Sequence, residues 1–339
     1  LGIGLATTIF SFCYAAVYRP LPVPGAGRIM HLEQNNASSG RTNIRVGYHD
    51  FLDWQAQQTT FEDLAAYYTR TVNLSGEGRP ERYSGAFVTT NAFRVLEVTP
   101  IIGRDFLPEE SRPGSSPVAL IGYSTWQARY GGEPDIVGRT VGVNGVPTNI
   151  VGVLPEGFAF PHAQNVWLPL QINPLETERG GGPGLHVFAR LREDATLETA
   201  RAEFETISAR MTASYPVTNR NIVAYIEPYI EAYQGSEAPL AATFFLGFGF
   251  AVLLIACFNV TNLLLAQAVA QTRELAVRVA LGASRFRVVA GVLQQSLLLA
   301  SAGAVLGAVL AVIGSTLLNR RITEMASYPP PYWTELKVD

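Results

Sequence analysis

Two long runs of apolar residues, neither containing a charged side chain, constrain the fold of this chain more than any other feature. They cover residues 238–272 and 288–319. A helix of about 20 apolar residues crosses the hydrocarbon core of a bilayer, so each run predicts a transmembrane helix. The alternative is a pair of buried core helices in a large soluble protein, which runs of this length disfavour. A third uncharged stretch, residues 1–18, predicts a first span that is truncated at its start.

The residues between the first and second runs have the mixed composition of a folded domain. The sequence TVGVNGVPTNIVGV (residues 140–153) places Asn144 and Gly145 between β-branched residues, which predicts a hairpin with a type I′ turn. YHDFLDWQAQ (residues 48–57) predicts a helix. A second helix, with Thr196 as its N-cap, carries its apolar residues on one face: Leu197, Ala200, Phe204, Ile207 and Met211.

These features together predict a membrane protein of transmembrane α-helices with a large α+β extracytoplasmic domain inserted between the first and second spans. The chain without its apolar runs contains no cysteine, because Cys13 and Cys257 both lie within them. The predicted boundaries are residues 1–18 for the first span, 19–237 for the domain, 238–271 for the second span, 272–287 for a cytoplasmic loop and 288–319 for the third span. Residues 320–339 are predicted to form an extracytoplasmic loop, with a fourth span missing.

The short loop between the second and third spans, TRELAVRVALGASRFRV, sets the predicted orientation. Its basic residues outnumber its single acidic residue, Glu274, four to one: Arg273, Arg278, Arg285 and Arg287. Short arginine-rich loops stay in the cytoplasm, which places the large domain outside. Arg320 and Arg321 follow the third run on the predicted outer side and are a weaker opposing signal.

The same loop has the pattern of a short helix followed by a sharp break. Glu274 and Arg278 are four residues apart and can pair on one helix face. Gly282 suits the left-handed position that ends a helix, and Ser284 can cap the helix that enters the third span. The simpler interpretation is a positively charged anchor that only sets the topology.

The third run contains a ridge of small residues. Gly303, Gly307, Ala311 and Ser315 recur every four residues, which predicts close helix packing in lipid. The alternative is a span that is merely rich in alanine and glycine. In the second run, Asn259 and Asn262 need polar partners, so they are predicted to face other helices, and the alternative is that they line a substrate path.

The sequence lacks the signatures of common enzymes. A Walker A loop needs a lysine beside the nucleotide phosphates, and the sole lysine, Lys337, has no glycine-rich loop before it. The four histidines lack metal-ligand spacing. His49, Asp50 and Asp53 could suit a metal but fit better as polar positions at a helix start. The net charge of −3 argues against a nucleic-acid partner. No catalytic, cofactor-binding or metal-binding residue is predicted, and the chain is not expected to be an enzyme.

Four segments carry a resemblance to a known family. IGLATTIFSFCYAAVYRPLP resembles the first span of MacB-like permeases. VTTNAFRVLEVTPIIGRDF and YSTWQARYGGEPDIVGRTVGVNGVPTNIVGVLPEGFAFP resemble their periplasmic core domain. RELAVRVALGASRFRVV resembles the cytoplasmic loop of the FtsX-like permease domain. The chain is thus similar to the MacB-like and FtsX-like ABC transporter permeases over nearly its whole length, and looks like a fragment of a longer permease of the duplicated type that lacks its own ATPase.

The resemblance implies a multi-pass permease subunit in a bacterial inner membrane, with its large domain in the periplasm. The implied partners are an ABC ATPase, a second copy or second permease half, the lipid bilayer and an envelope protein. The implied activity is export or mechanotransmission, in which the large domain receives ATP-driven motion. A non-transporting envelope or cell-division regulator of the FtsX type is the alternative. The resemblance also gives the cytoplasmic loop a role in coupling to the ATPase, through Arg273, Glu274, Arg278, Gly282, Ser284 and Arg285.

Overall fold

The computed structural model of the chain describes residues 2–14, 19–76, 79–235, 238–270, 285–325 and 332–334. The chain divides into two compact units. One, here called the helix unit, comprises Leu1–Arg19, Ser236–Pro330 and Thr334–Asp339. The other, here called the large domain, comprises Pro20–Gly235 together with Pro331–Trp333.

A mixed β-sheet organises the large domain. Its strands are β1 (Ile29–Asn36), β2 (Arg41–Ile44), β3 (Phe61–Ser75), β4 (Glu81–Val88), β5 (Ile102–Gly103), β6 (Val118–Ile121), β7 (Thr140–Val143), β8 (Val146–Val153), β9 (Val166–Pro169), β10 (His186–Leu191) and β11 (Ile222–Pro228). The main path of the sheet runs β11-β1-β10-β3-β4-β9-β6-β8-β5, while β2 pairs with β1 and β7 pairs with both β3 and β8. The pairs β4–β9 and β6–β8 are parallel.

The predicted hairpin is confirmed between β7 and β8, which pair antiparallel through Val143 and Val146. Asn144 and Gly145 form its turn with φ angles of 52° and 83°. A type I′ turn needs positive φ at both central residues, which asparagine tolerates and glycine adopts without strain.

The two helices predicted in the large domain are also confirmed, as α2 (Tyr48–Gln57) and α5 (Leu197–Ser214). The domain also contains α3 (Ala92–Val95), α4 (Tyr123–Tyr130) and α6 (Tyr229–Gln234). Thr196 caps α5, since its hydroxyl accepts a hydrogen bond from the Thr199 N–H at 3.2 Å. The predicted face of α5 points inward, with Ala200, Phe204, Ile207 and Met211 buried.

Apolar side chains of the large domain gather in separate clusters on the sheet. Trp54 of α2 and Phe61 of β3 meet Phe204 of α5 edge to face, with ring centroids 5.4 and 5.7 Å apart. Trp126 and Tyr130 of α4 belong to a second cluster with β6, β7 and β8. Aromatic rings supply large buried areas, so these contacts hold the helices on the sheet.

One buried charge ties the start of the large domain to its core. Arg190 of β10 is 1% exposed. Its Nε donates to the carbonyl of Val95 at 2.8 Å and its Nη2 to the carbonyl of Pro24 at 3.0 Å. Gly25 lies beside it with φ +58°, and a Cβ atom added at Gly25 would come within 2.6 Å of Arg190 Nη1. Only glycine fits both the backbone conformation and the space.

The helix unit contains three described helices: α1 (Gly2–Cys13), α7 (Ala238–Ala270) and α8 (Arg285–Met325). Residues 238–267 of α7 and 300–317 of α8 are long and apolar enough to cross a membrane, and their most apolar windows are only 11% and 17% buried. Core helices of a soluble protein would be mostly buried, so this exposure fits contact with lipid.

The helix bounds differ in part from the predicted spans. α7 follows the predicted second span as far as the described residues reach. α8 continues past the predicted boundary at Asn319 as far as Met325, because charged residues such as Arg320 and Arg321 do not by themselves end a helix. α1 is described up to Cys13, and residues 15–18 of the predicted first span lie outside the described residues.

Candidate functional site

The small-residue ridge of α8 lies mostly on a buried side of the helix. Ala311 is fully buried, Ser315 is 3% exposed, and Gly307 is also buried. Gly303 is half-buried, and a Cβ atom added there would meet nothing within 4 Å. The structure therefore brings three of the four predicted packing residues to buried positions and leaves the first at an open one.

Helix α1 is what covers this side of α8. A Cβ atom added at Gly4 would lie 3.0 Å from the Gly307 carbonyl oxygen and 3.1 Å from the Leu310 Cβ. A Cβ atom added at Gly314 would lie 3.2 Å from the hydroxyl of Thr8. Each helix thus presents a glycine where the other approaches, which is how helices come close in lipid. Gly4 and Thr8 were not among the predicted packing residues, although their four-residue spacing is the same small-residue signal.

Helix α1 also packs against α7. Gly249 of α7 lies against Ile9, with a built Cβ atom 3.5 Å from the Ile9 Cγ2. The buried thiol of Cys13 donates to the carbonyl of Ala242, with 3.8 Å between the sulfur and the oxygen. Helix α1 therefore contacts both longer helices.

The two asparagines of α7 lie on its uncovered surface. Asn259 and Asn262 are both exposed within this chain. In contrast, the Thr261 hydroxyl donates to the Cys257 carbonyl at 2.8 Å, within its own helix. A side-chain amide in hydrocarbon is costly unless it is paired, so the predicted partners of these asparagines must come from outside the described part of this chain.

The predicted coupling loop is not open to structural description. Arg273, Glu274, Arg278, Gly282 and Ser284 lie outside the described residues. Arg285 is the first residue of α8. The coupling role of these residues therefore stays a prediction.

The acidic residues at the start of α2 bind an arginine of a distant loop. Arg179 donates to Asp50 Oδ1 at 2.5 Å and to Asp53 Oδ2 at 2.6 Å. Gln34 Nε2 donates to the second oxygen of Asp50 at 2.8 Å. The Arg179 guanidinium also stacks on the Tyr215 ring, 3.5 Å from its centroid. These carboxylates thus anchor a loop, and no group of metal-ligating side chains occurs in the described ranges.

Three of the four histidines, which are far apart in the sequence, lie in one region of the large domain. His186 stacks on Tyr67 with ring centroids 5.0 Å apart, and His31 lies 6.2 Å from His186. The His162 Nε2 forms a 2.5 Å hydrogen bond with the Tyr233 hydroxyl. Burial lowers the pKa of His162 to about 4 and that of His186 to about 3. Both rings are therefore neutral at neutral pH.

One carboxyl group of the large domain has a pKa shifted in the opposite sense. Burial raises the pKa of Asp105 to about 6, and a hydrogen bond from the Phe106 N–H to its Oδ1 at 2.7 Å partly offsets that rise. The group changes charge close to neutral pH.

Taken together, a large α+β domain and, after it in sequence, two long apolar helices with exposed surfaces define a class of protein. The chain is a membrane permease with an extracytoplasmic domain.

The chain belongs to the family of permeases with a MacB-like periplasmic core domain. The model of that domain matches residues 1–207, and the model of the FtsX-like permease C-terminal matches residues 246–336. The predicted family and fold class are thereby confirmed.

Curated relatives are about one-quarter identical to the chain over the residues that align. It is 25% identical over 235 residues to the pyoverdine export ATP-binding/permease protein PvdT of Pseudomonas syringae pv. tomato, an alignment that covers 66% of this chain and 34% of the relative. It is 27% identical over 199 residues to the macrolide export ATP-binding/permease protein MacB of Rhodospirillum rubrum, covering 58% and 30%. The chain spans about a third of the length of the relatives it matches.

Among solved structures, the periplasmic region of MacB from Actinobacillus actinomycetemcomitans is similar to this chain with a TM-score of 0.46 and 14% identity. The match covers 62% of this chain and 92% of that one.

Proposed function

We propose that this chain is the permease subunit of an ABC-type exporter and that it relays the ATP-driven motion of a partner ATPase to its extracytoplasmic domain. It is a multi-pass protein of the bacterial inner membrane with the large domain on the periplasmic side. The observation that carries this proposal is the order of the family matches, a MacB-like core domain followed by an FtsX-like permease segment on one chain.

The motifs of the sequence support different roles for this chain and for the partner ATPase. These 339 residues contain no lysine preceded by a phosphate-binding loop, so the described chain has no means of holding ATP by a Walker A motif. The relatives are named as ATP-binding/permease proteins, which supports an ABC ATPase as partner. Their names are those of exporters, so we prefer export to the FtsX-type regulator.

The packing of α1 on α8 gives the helices a way to move as one body. Gly4 and Gly307 approach too closely for a side chain to stand between them. Small residues at a contact allow many backbone van der Waals interactions, which resist sliding. Motion that reaches α8 from the cytoplasmic side would therefore carry α1 with it.

The point at which the ATPase acts is, in this proposal, the loop of residues 272–287. Its glycine, Gly282, is suited to the φ > 0 conformation that ends a short helix. A short helix under the membrane can pass force only while it sits correctly in its partner. A second permease half would complete the helix unit by covering Asn259 and Asn262, which are exposed in the single chain.

The test replaces Gly282 with valine in the full chain assembled with its partner ATPase. A β-branched residue at φ > 0 costs on the order of 1–2 kcal/mol and tilts the loop, while the arginine content that sets topology is unchanged. We expect normal insertion and abundance but loss of most of the permease-dependent stimulation of ATP hydrolysis.

The matched control is the double variant Arg285→Lys with Arg287→Lys, which keeps the charge and the helix. It should retain most of the stimulation. Wild-type stimulation in Gly282→Val would show that the loop is only a topological anchor, and the coupling proposal would then be wrong.

A further inference from the structure

A short segment that follows α8 in the sequence is built into the large domain. Residues 332–334 form a 3-10 turn, and Tyr332 and Trp333 cluster with the large domain rather than with the helix unit. Trp333 is only 3% exposed. This segment belongs to the predicted extracytoplasmic loop of residues 320–339, and nothing in its local sequence pattern indicates burial.

Four residues of the large domain surround this segment, and they are here called the aromatic socket: Phe158, His162, Tyr229 and Tyr233. The Tyr332 N–H donates to the His162 carbonyl at 2.7 Å, and its ring lies 5.9 Å from that of Phe158. Trp333 meets Tyr233 edge to face, with centroids 5.2 Å apart and planes at 87°. Its distance to Tyr229 is 6.4 Å at 65°. These are favourable geometries for aromatic pairs.

Polar contacts beneath the rings hold the socket in place. The Tyr233 hydroxyl is hydrogen-bonded to His162 at 2.5 Å, and the Tyr229 hydroxyl to that of Tyr67 on β3 at 3.1 Å. Because Tyr229 and Tyr233 lie one turn apart on α6, both point the same way from that helix. The socket therefore combines α6 with the loop between β8 and β9, and a hydrogen bond to Tyr67 ties it to the sheet.

The position of α6 in the chain makes this contact significant. The helix ends at Gln234, and α7 begins at Ala238. The segment that occupies the socket comes after both candidate spans in the sequence, because α8 ends at Met325 and Tyr332 follows shortly afterwards. The socket thus joins α6, which precedes the candidate span of α7, to the segment that follows the candidate span of α8.

One feature of the docked segment opposes its own burial. The Tyr332 hydroxyl is buried and has no hydrogen-bond partner within the described part of the chain. A buried hydroxyl that loses water without gaining a partner disfavours the docked state. The segment is therefore held by ring packing and one backbone hydrogen bond, which is a contact that can open without unfolding the domain.

We propose that Tyr332 and Trp333 act as a clasp, by which the chain leaving α8 grips α6 in the aromatic socket and passes motion of α8 to the large domain. The inference rests on the proposed function, because it names the contact through which the relayed motion reaches that domain. The proposal predicts that the clasp, rather than the covalent connection of the chain alone, passes the motion of α8 to the large domain.

The experiment uses the full chain with its partner ATPase and compares Trp333→Ala with two matched variants. Trp126→Ala removes another buried tryptophan of the same domain, which lies in α4 against Tyr123. Trp333→Phe keeps a ring in the socket. The first measurement is hydrogen exchange of the α6 amides without ATP. Trp333→Ala should speed that exchange about tenfold or more, while Trp333→Phe should have a smaller effect and Trp126→Ala none.

The second measurement is the change in hydrogen exchange across the large domain when ATP is added. Trp333→Ala should reduce that change at least fivefold relative to the wild type, whereas Trp333→Phe should retain most of it. Wild-type exchange in α5 of every variant shows that the domain is folded.

The outcomes separate the inference from the function on which it rests. Unchanged α6 exchange in Trp333→Ala overturns the clasp. Faster α6 exchange with a wild-type ATP response also overturns it, since the segment then packs without transmitting. If the wild type itself shows no response to ATP while Trp333→Ala loosens α6, docking stands and the proposed relay function fails.

Discussion

The helix unit and the large domain bury their apolar residues in opposite ways. In the helix unit, large apolar side chains point outward, so that Phe244 and Phe258 are each 72% exposed, and glycines stand at the helix contacts. In the large domain, the aromatic rings point inward, and Trp54 and Phe204 are each 1% exposed. Within the helix unit, helices contact one another through small residues. Within the large domain, helices and strands contact one another through large aromatic residues.

The difference shows which unit is complete by itself. Burial of large side chains drives folding in water, so the large domain holds its own core. Helices in lipid gain nothing from sequestering leucine and phenylalanine, and they associate through close packing and polar contacts. The exposed apolar side chains of the helix unit therefore suit contact with lipid, and the exposed Asn259 and Asn262 lie where the proposed second permease half would cover them.

The largest expected effect concerns the side of the membrane on which each unit is accessible. With Cys13 and Cys257 replaced by serine, a cysteine at the exposed Ser116 should react fully with a membrane-impermeant thiol reagent in intact cells. A cysteine at Ala283 should react only after permeabilisation. The reverse labelling pattern would invert the orientation inferred from the arginine-rich loop.

Truncation of a large side chain should damage the large domain severely. Phe204→Ala leaves a cavity between Trp54 and Phe61 and should lower the free energy of unfolding by about 3–5 kcal/mol. Hydrogen exchange of the α5 amides in the full chain measures this loss. The matched control is Phe244→Ala, since that ring is 72% exposed and should leave α5 unaffected. Equal effects of the two truncations would contradict the contrast between the units.

Addition of a side chain should instead damage the helix unit. Gly4→Val forces a side chain against Gly307 and Leu310 and should weaken the contact of α1 with α8 by about 1–3 kcal/mol. Disulfide formation between cysteines introduced at Thr8 and Gly314 reports that contact. The same substitution at Gly303, where a Cβ atom meets nothing within 4 Å, should change the yield little. Comparable losses from both valines would show that α1 does not pack there.

The smallest expected effect is on the pH dependence of stability, which should appear in the large domain alone. The pKa of His186 is about 3 when folded, against an ordinary value of 6.5, so the unfolded chain takes up protons first as the pH falls below about 6.5. Stability should therefore fall between about pH 6.5 and pH 3. The Asp105 pKa of about 6 acts in reverse, because the folded state takes up that proton first and gains stability as the pH falls from about 6 to 4.

Two variants separate these opposite contributions in thermal unfolding at a series of pH values. His186→Phe keeps a ring against Tyr67 and should make the loss on acidification shallower. Asp105→Asn should make it steeper. The contact of α1 with α7 should not respond to pH, since neither helix contains a charged residue or a histidine. Parallel pH profiles for the wild type and both variants would show that neither group contributes.

Structural features that depend only on residues close together in the chain could be predicted from the sequence. The Asn144–Gly145 turn, the inward face of α5 and the apolar runs all express a local rule of backbone geometry or periodicity. The described residues of α7 lie within the charge-free run for the same reason. The end of α8 does not, because hydropathy marks what can enter lipid and not where helical hydrogen bonding stops.

Features that depend on distant contacts could not be predicted. Nothing local to His31, His162 or His186 shows that they converge, because β1, β10 and the loop before β9 become neighbours only through sheet pairing. Gly4 has the same small-residue spacing as α8, yet only the fold shows which two faces meet. The burial of Trp333 is of the same kind. Local patterns therefore predicted the elements, while the tertiary fold decides which side chains form a site.

The close contact of Gly25 with Arg190 limits which substitutions are tolerated at these two positions. Any larger residue at position 25 would collide with a guanidinium that is fixed by the carbonyls of Val95 and Pro24. A larger residue at position 25 therefore requires a change at position 190, although 165 positions separate the two in sequence. Homologues should vary at this pair in concert, and a glycine at position 25 should accompany a long basic side chain at position 190.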